Sequence, residues 1–301
     1  MLTKKLIVMV LFLVALPLMK LRGAENSGWT IFQRIESSQF IGNVLTSMGY
    51  SDLTSALYNP AVPAALHRKE WLFTSDIGST NDTLGAVLYG QPIGDKCMLT
   101  VGAGYYNAGP VELNWIDNNS IQSQTVTLEQ DMLSIVSFGY AMSKDFMVGV
   151  SFKSASSQVA QQQTAYAYVG DVGMLYLPLP NLSVSVAAQN IGSSTNFINQ
   201  ANALPTAGYA GIGYSMPVEG GLLLASAGVT YMITDALSEP EVGCEYDYKN
   251  ISLNAGYRMN LAEYDMHVGI TVVVNKIKFG YALIPGNLLG NTNRLTVTYS
   301  F

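Results

Sequence analysis

From Arg294 to Phe301 the chain reads RLTVTYSF. In an extended backbone Leu295, Val297, Tyr299 and Phe301 project to one side, and Arg294, Thr296, Thr298 and Ser300 to the other. The same period of two recurs upstream. Ile251, Leu253, Ala255 and Tyr257 alternate with Ser252, Asn254, Gly256 and Arg258, and Met266, Val268, Ile270 and Val272 with Asp265, His267, Gly269 and Thr271. Ile277, Phe279, Tyr281 and Leu283 oppose Lys278, Gly280 and Ala282. A chain with many such segments folds into strands that separate two environments.

Alternation also suits a soluble sandwich, so composition has to choose between water and membrane. Apolar residues make up 49% of the chain and charged residues only 12%, too few to clothe a soluble protein of this size. The polar faces hold Gly, Ser and Thr, with few charges. At the other end, Lys4 and Lys5 precede an uncharged run from Leu6 to Met19, followed by Gly23 and Ala24. This predicts a secretory signal peptide over 1–24, with an apolar run shorter than the ~20 residues of a membrane-crossing helix. In a bilayer the other structure that pairs every backbone group is a closed barrel. The expected fold is therefore all-β, a transmembrane antiparallel β-barrel, multi-pass in the bacterial outer membrane. The terminal aromatic strand, with Leu295, Val297, Tyr299 and Phe301 as its outward face, matches the assembly signal of such barrels. Expected partners are outer-membrane lipid and the barrel assembly machinery, around a monomer. Without residues 1–24 the acidic excess grows, which speaks against nucleic-acid binding.

The pattern predicts about fourteen strands, at 69–77, 83–91, 96–108, 129–141, 146–155, 164–177, 181–192, 206–216, 221–233, 240–248, 250–259, 263–274, 276–285 and 293–301. If Phe301 lies at the periplasmic rim, connections after odd-numbered strands face outward. Gly109–Leu128 and Gly192–Pro205 follow odd strands and are long, whereas the even-strand connections are short. Val111–Leu128 itself alternates, as a hairpin prolonging the third and fourth strands would. Cys97 and Cys244 fall on the apolar face of strands far apart in the count, too far for a disulfide.

Residues 25–66 do not alternate, and their apolar content is high for a disordered tail. Ser51 or Asp52 is placed to cap a short helical segment, which Asn59-Pro60 must stop. Because a fourteen-strand lumen is too wide for its own side chains to fill, 25–66 is expected to fold into it as a hatch, ahead of a barrel over 67–301. The segment SDLTSALYNPAVPAAL, Ser51 to Leu66, resembles the stretch preceding the barrel in FadL-type hydrophobic-compound transporters and their PorV/PorQ-type relatives. Asn59, Pro60 and Ala61 form the motif those families share. The resemblance implies one of two functions. In the PorV branch the barrel binds exported cargo through C-terminal sorting domains and hands it on, as in type IX secretion. In the FadL branch it is a passive transporter of hydrophobic compounds such as long-chain fatty acids. Modest outer loops and a short hatch favour the PorV branch.

Parity points Lys153, Asp171, Glu245, Asp247, Arg258, Asp265, His267 and Lys278 into the lumen. Charges there are expected to be paired across the lumen or to the hatch. Asp265 and His267 share a face without the setting of a hydrolase, so no enzyme is expected. No CxxC or His-rich spacing occurs, so neither metal nor cofactor is expected.

Overall fold

The computed structural model describes residues 28–39, 52–79, 81–117, 120–160, 163–197, 202–259, 265–286 and 290–301. The expected signal peptide and Ser51 lie outside these residues. Sixteen strands follow one another: β1 Glu70–Ile77, β2 Thr83–Ile93, β3 Cys97–Asn107, β4 Pro110–Asp117, β5 Ser120–Thr127, β6 Glu129–Ala141, β7 Phe146–Val159, β8 Gln163–Leu179, β9 Leu182–Ser194, β10 Ala207–Val218, β11 Gly221–Met232, β12 Leu237–Tyr248, β13 Ile251–Arg258, β14 Asp265–Val274, β15 Ile277–Ile284 and β16 Thr292–Ser300. Fourteen of them close a barrel in which β1 pairs with both β2 and β16, while β4 and β5 form a sheet of their own. All fourteen expected strands are present.

Closure depends on the two ends of the barrel sequence. Glu70 is in register with Ser300 and Ile77 with Asn293, and the Phe301 N–H donates to the Lys69 carbonyl at 3.1 Å. Outside this seam, Tyr299 and Phe301 pack edge to face 4.9 Å apart and Trp71 lies 4.7 Å from Tyr89. Lys69 Nζ caps the Phe301 ring at 4.4 Å. This is an aromatic girdle of the kind that marks a membrane interface.

Six tight connections, 94–96, 142–145, 180–181, 219–220, 249–250 and 275–276, lie at the end where the barrel begins and finishes, and seven lie at the other. These are called the turn end and the loop end below. Asn275 opens its two-residue turn at φ +55°, which Asn tolerates better than most residues. Not every loop-end connection is long: only residues 160–162 separate β7 from β8. The 108–128 loop is the expected hairpin. It continues β3 and β6 through bonds from the Ala108 N–H to the Glu129 carbonyl and from the Leu128 N–H to the Gly109 carbonyl.

Two-faced strands explain the burial. On β6, Asp131, Leu133, Ile135, Ser137 and Ala141 are buried inward, while Met132, Val136, Phe138 and Tyr140 are exposed outward. The lumen, however, is not uniformly polar as the alternation suggested. Leu72, Leu84, Leu88, Met98, Leu133, Ile135 and Val169 face inward and pack with Trp29, Phe32, Ile35, Leu53 and Leu57 of the N-terminal segment. The described part of that segment is a plug, comprising one helical turn, α1 (Ile31–Arg34), and two 3₁₀ segments, Leu53–Leu57 and Val62–Ala65. Each such side chain removed from water contributes roughly 1.5–3 kcal/mol, so this apolar sector of the wall is the plug's seat. Across the lumen, β12 to β14 present Glu241, Glu245, Asn254, His267 and Thr271 instead.

Candidate functional site in the barrel lumen

Three of the polar places where the described plug residues touch the wall carry its side-chain contacts with β7 to β9, β13 and β16; the Gly28 N–H also donates to the Ala203 carbonyl at 3.0 Å. The first is the Asn59-Pro60-Ala61 turn. Asp52 caps the preceding 3₁₀ segment by accepting from the Thr54 N–H at 2.8 Å, and that segment ends at Leu57, ahead of the proline as expected. Asn59 Oδ1 then accepts from the Ala61 N–H at 3.1 Å, folding the chain into an Asx turn. Its Nδ2 reaches the Met174 and Val186 carbonyls of β8 and β9 at 3.2 and 3.4 Å. Glycines on the wall make this approach possible: a Cβ on Gly149 would overlap the Pro60 carbonyl, and one on Gly173 the Asn59 side chain. The motif is therefore a wedge cut to fit a glycine-floored part of β6 to β8.

The second place is a buried charge centre at the middle of the wall. Lys153 of β7, 1% exposed, donates to the Leu57 carbonyl of the plug at 3.0 Å and to Asn190 Oδ1 at 2.6 Å. It pairs with Asp171 of β8 at 2.9 Å. Asp171 also accepts from the Ser151 hydroxyl at 2.5 Å and the Asn190 N–H at 2.8 Å. Asn190 sits in a β-bulge: Gly170 pairs with Ile191 and Val172 with Ala188, so Gln189 and Asn190 together oppose Asp171. Asn190 takes φ +56° there, and its Nδ2 donates to the Pro205 carbonyl of the 195–206 loop at 2.9 Å. Gln189 reaches the Tyr58 carbonyl at 2.9 Å. One lysine thus joins plug, wall and a loop-end connection.

The third place lies nearer the loop end. Glu36 of the plug accepts from Arg258 Nη2 and Arg294 Nη1, each at 2.7 Å. Arg294 grips Asp76 through Nε and Nη2, both at 2.7 Å, in the bidentate geometry that guanidinium favours. Arg258 also lies 3.7 Å from Glu241. Burial alone would raise the Glu36 carboxyl, but the two guanidiniums outweigh burial and hold it below its ordinary value. Just beyond, the Ser38 N–H donates to Thr296 Oγ1 at 2.8 Å, with the Ser38 side chain lying over Gly280.

Of the eight lumen residues picked by parity, Lys153, Asp171 and Arg258 are brought into these places and are paired. Glu245, Asp247, His267 and Lys278 are not, which corrects the expectation of pairing. Glu245 Oε1, both Asp247 carboxylate oxygens and His267 Nε2 are buried without a hydrogen-bond partner, and Lys278 makes no ion pair among the described residues. The plug passes close by, its Ser38 carbonyl lying over Gly269 of β14, but its described residues send no side chain to these four. Asp265 opens β14 in register with Arg258, and its side chain lies outside the described residues. Leu295, Val297 and Tyr299 of β16 face outward and are exposed, as is Phe301 just beyond it. Cys97 and Cys244 are free thiols. Sequence reasoning missed Glu36, Asp76, Asn190 and Arg294 as site residues. Arg294 was visible as the one cation on the polar face of the last strand, whereas Glu36 belongs to no periodic segment.

No family model matches the chain, and no curated protein sequence matches it. Solved structures do. The Pseudomonas putida toluene transporter TodX aligns over 94% of this chain and 98% of its own, at 13% identity and a TM-score of 0.62. A TodX monoaromatic hydrocarbon channel carrying the deltaS2 mutation covers 88% and 98%, at 12% identity and 0.59. A Pseudomonas aeruginosa FadL homologue covers 87% and 96%, at 12% identity and 0.51. At such identities the likeness establishes the fold: a closed fourteen-stranded antiparallel barrel like those of FadL-family outer-membrane proteins.

Proposed function

We propose that this protein is a passive outer-membrane transporter of small hydrophobic compounds, with the N-terminal plug as its gate. The observation that carries the reading is a plug inside a closed barrel, seated on apolar wall residues yet tied down by a few breakable polar contacts at Asn59, Lys153 and Glu36. A wall with an open lumen would make a general pore, and a lumen packed throughout would make an inert barrel. The neighbours named above as a toluene transporter and a hydrocarbon channel support the same reading. The turn end then faces the periplasm and the loop end the exterior. A bacterial host lacking its own hydrophobic-compound channels, complemented with the full chain, should take up labelled toluene or oleate faster than the empty-vector strain. Unchanged uptake of both, with heat-modifiable barrel present in the outer membrane, would sink the proposal.

The PorV-type reading, hand-over of exported proteins through their C-terminal sorting domains, would need an exposed surface for a protein partner. The β4–β5 hairpin, a sheet of its own beyond β3 and β6, has Trp115, Ile116 and Ile121 exposed, a surface a protein partner would cover. Native purification decides between the two: a co-purifying β-sandwich domain favours hand-over, and its absence alongside substrate uptake favours transport.

A further inference from the structure

The seven loop-end connections, 78–82, 108–128, 160–162, 195–206, 233–236, 259–264 and 285–291, carry Asp82, Glu112, Asp117, Asp235 and Glu263 but no Lys, Arg or His. The turn end is mixed instead, with Lys96, Lys144, Lys249 and Lys276 beside Asp95, Asp145 and Glu219 in its tight connections. Cations near the loop end belong to the plug and inner wall: Arg34 of the plug is exposed, while Arg258 and Arg294 are committed to Glu36, Asp76 and Glu241. A mouth with an excess of one sign concentrates ligands of the other and repels its own.

Inside, the polar wall repeats that sign. Glu245 and Asp247 stand two residues apart on one face of β12, close enough to interact with each other, and Asp247 also with Ser252, yet Glu245 Oε1 and both Asp247 oxygens lack a well-formed hydrogen bond. Asn254, the cross-strand partner of Glu245, is 3% exposed, and neither its Oδ1 nor its Nδ2 is hydrogen-bonded. Lys278 is the cation that acts on both carboxylates, and Asp52 of the plug acts more weakly on Glu245. A buried and a half-buried carboxylate beside an unused amide are costly unless something satisfies them, and together they offer acceptors in excess of donors.

We propose that Glu245 and Asp247, with Asn254 beside them, form a binding site for an organic cation, an ammonium or amine group carried on an apolar body. The anionic mouth steers such molecules inward. This rests on the transport reading and narrows it: a fatty-acid carboxylate meets repulsion at both the mouth and the wall, so amphiphilic cations are the preferred substrates.

Equilibrium dialysis of the full-length protein in neutral detergent, against protein-free micelles, tests it with benzyltrimethylammonium, benzenesulfonate and benzyl alcohol. Benzyltrimethylammonium should bind saturably and about tenfold or more tighter than benzenesulfonate, a difference of RT ln 10 or greater. E245Q/D247N, nearly isosteric, should lose that preference while keeping heat-modifiable mobility. Benzyl alcohol binding with the two ions bound equally overturns the cation site and leaves the transport reading standing. A preference that persists in the double variant also overturns the site. No saturable binding of any of the three overturns both.

Discussion

Two side chains decide how firmly the plug is held, and they differ in how their loss would register. Glu36 has its carboxyl held low by Arg258 and Arg294, and a group depressed in the folded state contributes stability above its unfolded value of 4.5. That contribution is lost as pH falls through the folded value. Protease resistance of the plug should therefore be constant from neutral pH to about 5 and fall below ~4. Glu36→Gln should be protease-sensitive at all pH values, with the acid step gone; an acid step that survives in the variant would assign it to another carboxylate. Lys153 is a different case, because its removal leaves Asp171 as an uncompensated buried charge. Lys153→Met should cost roughly 3–5 kcal/mol of stability, and Lys153→Met with Asp171→Asn much less. Denaturant unfolding of the single and double variants measures the difference as a coupling energy.

At the scale of elements, the glycine floor under Asn59-Pro60-Ala61 makes the plug's lower half a fitted part. Gly149→Val puts two methyl groups and a Cβ where the Pro60 carbonyl sits. Overpacking of this kind costs about 1–3 kcal/mol, and here the strain falls on the plug, because the lipid-facing side of β7 is untouched. The variant should keep its heat-modifiable barrel and show faster cleavage within the plug; loss of the barrel instead would make the glycine a requirement of β7 itself. The barrel was legible in the sequence because every strand obeys one period, and the girdle and seam follow from RLTVTYSF. What stayed illegible has a physical cause in each instance. The bulge at Asn190 depends on a backbone conformation that alternation does not encode. Glu36 finds its arginines more than two hundred residues away in sequence. The apolar inner face of β1 to β8 reads as ordinary strand until a plug is known to cover it, since Leu133 and Ile135 alternate with outward Met132, Val136 and Phe138.

For the whole molecule, the division of the lumen into an apolar sector under the plug and a polar sector across from it sets how a ligand would pass. The Asn59 wedge and the Lys153 centre fix the plug against β6 to β9, while Glu36 and Ser38 cross to β13, β15 and β16 through Arg258, Arg294, Thr296 and Gly280. If this crossing closes the path, pinning it should stop transport while leaving barrel and wedge intact. A Cβ on Gly280 would lie 3.0 Å from that of Ser38, near the usual separation of a disulfide after a small adjustment. In a background with Cys97 and Cys244 replaced by alanine, Ser38→Cys with Gly280→Cys should cross-link on oxidation and reduce substrate uptake to the empty-vector level. Uptake should return on adding a reductant, and each single cysteine variant should transport in either redox state. Full uptake through the cross-linked barrel would mean that the crossing stays closed during transport, and that the ligand leaves by a route the plug never covers.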